Sequence, residues 1–103
     1  MYTATMRYNF TEEGFQEGCA LWKTIVFNAA QKAPGLVRMQ FLTAQPTALA
    51  IGTWKDKKHA EDFMKTGVFK ELKDALKGKL VSEPEPELWV LESFWGESSG
   101  TGR

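Results

Sequence analysis

The sequence predicts an α+β domain, a four-stranded antiparallel sheet with helices packed on one face. Three observations predict it. Four segments alternate or run apolar over strand-like lengths. Two segments carry apolar residues three or four apart. Short breaks with Gly, Pro or polar residues separate these in the order βαββαβ.

Thr3 to Phe10 alternates: Ala4, Met6, Tyr8 and Phe10 share one face, and Thr3, Thr5, Arg7 and Asn9 the other. Thr11 then offers a hydroxyl to cap a helix, and Glu12 and Glu13 suit the positive end of its dipole. Phe15, Cys19, Trp22, Val26, Ala29 and Ala33 form the apolar stripe of that helix, which Pro34-Gly35 ends. Leu36 to Leu42 is a second strand, Thr43 to Thr47 a turn, and Ala48 to Trp54 a third strand. The short connection makes these two a hairpin. Asp56 caps a second helix whose Ala60, Phe63 and Met64 point inward. Gly67 interrupts it, and a continuation carries Val68, Phe69, Leu72, Ala75, Leu76 and Leu80. Pro84 and Pro86 fall in a loop. Leu88 to Phe94 is the fourth strand, apolar enough to suggest cover on both faces. Residues 1–95 make one domain, and the small, polar stretch 96–103 reads as a flexible tail.

Short right-handed connections fold this order into the ferredoxin-like arrangement. Its helices cover one sheet face. The other is expected to show Thr5, Arg7, Arg38, Gln40, Leu49, Ile51, Leu88 and Val90. That mixture is too apolar to be left wholly wet, so a second copy is expected to cover it.

With 103 residues the chain supports one modest core, yet it carries four Trp and seven Phe. Rings in that number suit a pocket or a subunit interface. Net charge is zero, which argues against nonspecific nucleic-acid binding. An RNA-recognition module shares the element order, but its glycine- and aromatic-rich octamer is missing from Ala48 to Trp54. The lone cysteine, Cys19, cannot form an internal disulfide and favours a reducing compartment. No leader-like segment is seen, and no apolar run approaches the ~20 residues that span a bilayer. The expectation is a cytoplasmic protein without membrane or nucleic-acid partners.

Thr53-Trp54-Lys55, followed by Lys58, Ala60 and Phe63, then Lys65-Thr66-Gly67-Val68-Phe69-Lys70, carries a family likeness, and Ala33-Pro34-Gly35 fits it too. Over residues 2–95 the chain resembles the antibiotic biosynthesis monooxygenase group of the dimeric α/β-barrel superfamily. The resemblance implies two protomers packed sheet against sheet, each with its own pocket between helices and sheet. Met6, Tyr8, Trp22, Val26, Phe63 and Phe69 would wall it, with Lys73 alongside. A mostly apolar pocket of that kind suits a small hydrophobic or aromatic ligand.

The small haem-degrading relatives use an Asn, a Trp and an iron-ligating His. The resemblance places Met6, Phe63 and Lys73 at those positions, and a lysine ammonium is a poor substitute for imidazole. What it implies instead is cofactor-independent monooxygenation of a small aromatic or polyketide-like compound, with no metal. The competing reading is a non-catalytic dimer that binds a small molecule.

Tyr8 and His59 are the candidate catalytic groups. His59 is the only histidine and of the residue type most used as a general base, but Lys57-Lys58-His59 in a first helical turn equally describes a solvated side chain. Cys19 and Trp22 lie on the inward stripe, where packing explains them as well as chemistry does. The lysines at 65, 70, 73, 77 and 79 alternate with Glu71 and Asp74, as on a solvated helix face.

Overall fold

Strand β1 (Tyr2–Asn9) runs inside a four-stranded sheet of order β2-β3-β1-β4 in the computed structural model, which describes residues 1–96. It pairs antiparallel with β3 (Thr47–Trp54), where Met6 faces Ala50, and with β4 (Glu85–Val90), where Met6 faces Pro86. Strand β2 (Leu36–Ala44) joins β3 through Gln45-Pro46, a tighter turn than the expected 43–47. The ferredoxin-like arrangement is therefore present.

The first helix is not continuous. Helix α1 (Phe15–Trp22) widens into a π-helical turn (Lys23–Phe27) and resumes as the short α2 (Asn28–Ala30). Thr11 acts one turn before α1, where its Oγ1 accepts the Gly14 N–H at 2.9 Å. Asp56 caps α3 (Lys57–Met64) by accepting the His59 N–H at 2.9 Å. Gly67, at φ 91°, takes the left-handed bend between α3 and α4 (Val68–Ala75) that an L side chain resists.

The alternation of β1 points Tyr8 into the core, where it packs with Phe10, Trp22, Val26, Trp54, Phe63, Leu72 and Leu76. Ring pairs account for much of the packing: Trp22 stacks on Phe41 at 4.1 Å between centroids, and Trp54 lies 5.1 Å from Phe63.

Strand β4 corrects the sequence reading in three ways. It spans Glu85–Val90, so Pro86 lies within it and Leu91–Phe94 outside. Proline is tolerated because β4 is an edge strand with only β1 beside it. Pairing ends where β1 begins, with Leu91 N–H donating to Met1 O at 3.1 Å. Nor is the strand covered on both faces, since every residue of it is exposed in the protomer. Finally, Leu88 pairs with Ala4 and Val90 with Tyr2, which puts both on the helix side of the sheet. The residues of β4 on the open face are Glu85, Glu87 and Trp89, and Trp89 Nε1 donates to Thr5 Oγ1 at 3.4 Å.

Beyond β4 the chain turns back across the open face, and the Arg38 guanidinium lies 4.7 Å from the Phe94 ring centroid. Arg38 is on the opposite edge strand, so that face is partly covered by its own chain. The expected tail at 96–103 falls, after Gly96, outside the described residues.

Candidate functional site

The helix side of β1 and β3 exposes small side chains, Ala4, Ala50 and Gly52, to the helices above. Large rings descend onto them. Trp22 and Val26, at the junction and in the middle of the π turn, are each 1% exposed. A π turn changes the angular register of the residues after it, and such turns recur at functional sites. Phe63 comes from α3 and Phe69 from α4. Between sheet and helices remains a chamber of about 30 Å³ lined by Met6, Trp22, Val26, Trp54, Phe63 and Phe69, with Met39 and Met64 beside them. Gly52 keeps it open, since a Cβ there would lie 3.1 Å from Trp54 Nε1 and 3.2 Å from Met39 Cε.

Of the six wall residues expected, Met6, Trp22, Val26, Phe63 and Phe69 meet around one chamber and Tyr8 does not line it. That chamber holds a molecule the size of water, whereas sites for larger ligands run to roughly 300–1,000 Å³. A second cavity of about 180 Å³ adjoins it, and Met6 and Phe69 line both. Tyr8 borders this second cavity, with Lys73 and Glu83 at its rim, ion-paired at 2.9 Å and largely exposed.

His59 is elsewhere. It lines a third cavity, about 310 Å³, on the far side of Phe63, with Ala29, Lys32, Pro34 and Asp62. Its Nδ1 lies 2.7 Å from the same Asp56 oxygen that caps α3, and its ring rests on Gly35. The backbone N–H of His59, then its ring, hold the Asp56 carboxyl below its ordinary pKa. Tyr8 and His59 therefore do not share a cavity.

Burial holds the Tyr8 phenol far above its ordinary pKa, and the Trp22 indole N–H opposes this more weakly. The two groups are close without reaching hydrogen-bond geometry, and neither Tyr8 Oη nor Trp22 Nε1 has another protein partner. Tyr8 keeps its proton at neutral pH and can donate it to an acceptor, but it is not poised as a base. Burial also raises the Cys19 thiol, with Lys23 pulling the other way, so the thiol is not activated.

Among the described residues, no three His, Cys, Asp or Glu side chains group closely enough to hold a metal ion, and no helix is long and apolar enough to cross a membrane. The chamber presents no imidazole to a haem iron. The residues there do not fit the ligand set of the haem-degrading relatives. Of the lysines at 65, 70, 73, 77 and 79, Lys70 pairs with Asp74, Lys73 with Glu83 and Lys79 with Glu17.

Sequence reasoning missed Trp54, Gly52, Met39 and Met64 as chamber residues. Met64 was readable as inward on its helix. Met39 was readable too, since alternation with the open-face Arg38 and Gln40 places it on the helix side opposite Gly52.

No family model and no curated protein matches the chain. Solved structures do match in shape. An antibiotic biosynthesis monooxygenase aligns at TM-score 0.76 and 14% identity, over 90% of this chain and all of its own. A candidate antibiotic biosynthesis monooxygenase of Deinococcus radiodurans aligns at TM-score 0.81 and 13% identity, over 94% of this chain and 98% of its own. A monooxygenase of Streptomyces coelicolor, in complex with the ligand nanaomycin D, aligns at TM-score 0.76 and 13% identity, over 94% and 92%. At such identity the likeness shows that the chain has the fold of these proteins.

Proposed function

We propose that this protein is a cofactor-independent monooxygenase of the antibiotic biosynthesis monooxygenase type, acting on a small aromatic or polyketide-like compound inside the chamber beneath Trp22. The observation that carries this reading is the apolar, ring-lined chamber, held between sheet and helices in a fold shared with such monooxygenases. A ring system carrying an acidic methylene suits it. Once deprotonated, the carbanion reduces dioxygen directly. One oxygen atom becomes a new carbonyl, and the other leaves as water with the remaining methylene hydrogen and one proton returned from solvent. The protein contributes a dry cage that excludes competing water.

No general base lines the inner chamber among the described residues, and the carboxylate of the neighbouring cavity, Glu83, is ion-paired with Lys73, so in this proposal the substrate enters already ionised. Oxygen uptake with anthrone-like compounds tests the reading. One O2 should be consumed per substrate, with chelator present, and the rate should rise with pH along the substrate's own ionisation. Saturable binding without protein-dependent oxygen uptake would instead establish the second reading, a non-catalytic small-molecule-binding protein. The missing base is the observation that favours that alternative.

The working unit in this proposal is a homodimer formed through the open sheet face. Leu42, Leu49, Ile51 and Trp89 make that face apolar, and it carries both Arg7 and Arg38 and both Glu85 and Glu87. Both signs on one surface allow a two-fold-related copy to set opposite charges against each other. Native mass spectrometry should report twice the 11.6 kDa chain. A purely monomeric spectrum at micromolar protein would overturn this part.

A further inference from the structure

Two polar atoms stand out in the interior, Tyr8 Oη and Trp22 Nε1, because no protein group bonds to either. Both residues are 1% exposed. A buried donor without an acceptor weakens a fold, and native proteins keep few of them. These two are neighbours, and their positions suggest why they are kept. Trp22 borders the inner chamber, Tyr8 borders the adjoining cavity, and Met6 and Phe69 line both. Two side chains are thus common to both hollows. One is an unbranched thioether that changes shape at little cost, and the other is half-buried.

Resting on the small-molecule reading above, we propose that the two hollows are halves of one ligand site joined when Met6 and Phe69 move apart. Tyr8 and Trp22 then give two converging donors to a single acceptor oxygen on a flat apolar ligand, such as an aryl ketone, quinone or phenolate. The remaining side chains of the inner chamber are apolar apart from the Trp54 indole. The Thr5 side chain belongs to the open face, where Trp89 bonds to it. An oxygen-free ring system leaves both donors unanswered, so the site discriminates by the oxygen. The high pKa of the phenol keeps Tyr8 a donor throughout the neutral range.

The test compares fluorenone with fluorene, which share a skeleton and differ by one carbonyl, on wild type, Tyr8→Phe and Trp22→Phe. Calorimetric titration should show fluorenone binding wild type at least tenfold more tightly. Each variant should erase most of that preference, read as the ratio of the two affinities measured on the same protein. The unliganded Tyr8→Phe protein should melt at or above the wild-type temperature, because it loses a hydroxyl that has no partner. Equal binding of the two probes, or variants that weaken both alike, would overturn the anchor and leave the chamber reading standing. So would a Tyr8→Phe protein that melts lower and keeps its preference, since the hydroxyl would then be structural. Failure of both probes to bind would overturn the chamber reading and the anchor together.

Discussion

Tyr8 shows what a single residue contributes here. Its alternation partner positions made it inward-facing from sequence, but its phenol's lack of an acceptor depends on what surrounds it in three dimensions. That environment has a consequence for stability. Below about pH 10, the ordinary tyrosine value, folded and unfolded chains both hold the Tyr8 proton; above it the unfolded chain releases the proton and the folded one does not. The unfolded state then binds fewer protons, so stability falls as pH rises past about 10. Urea denaturation at a series of alkaline pH values should show this loss in wild type and a shallower one in Tyr8→Phe. Identical slopes would mean the phenol ionises freely in the folded protein. His59 makes the contrasting case. Its ring contacts Asp56 and the Gly35 backbone, and these contacts alone suffice to hold it at the start of α3.

Among the elements, the helices were legible and the last strand was not. Caps and glycine breaks are local signals: Asp56 before α3 and Gly67 before α4 act where they stand in the sequence. The cost of losing them is correspondingly local. Gly67 at φ 91° has no atom near the position of a Cβ, so Gly67→Ala should cost only the left-handed backbone penalty of about 1–2 kcal/mol. Gly35 at φ 83° has the His59 ring where a Cβ would stand, so Gly35→Ala should cost clearly more. Thermal unfolding of the pair ranks them, and equal losses would contradict the packing of His59 on Gly35. The π turn left no trace in the stripe Phe15 to Ala33, because its spacing of three and four suits either helix. Strand β4 was misplaced because the apolar run 88–94 was read as burial, whereas the actual limits are set by where β1 starts and by an edge position that tolerates Pro86.

For the molecule as a whole, periodicity and connection lengths specified the order βαββαβ, and hence which side chains meet. Met6, Trp22, Val26, Phe63 and Phe69 converge because each is the inward member of a regular repeat. How much space they leave is a difference between large packed volumes, which no one-dimensional pattern encodes. The rings reduce the inner chamber to about 30 Å³, so occupation by an aromatic ligand entails movement of its wall. The methionines report on this directly. Met6, Met39 and Met64 line the chamber, and the exposed Met1 does not. With methionine methyl groups labelled with carbon-13, NMR titration with fluorenone should shift Met6, Met39 and Met64 together, saturably, and leave Met1 in place. Shifts confined to Met1, or none at ligand saturation, would contradict a binding chamber between sheet and helices.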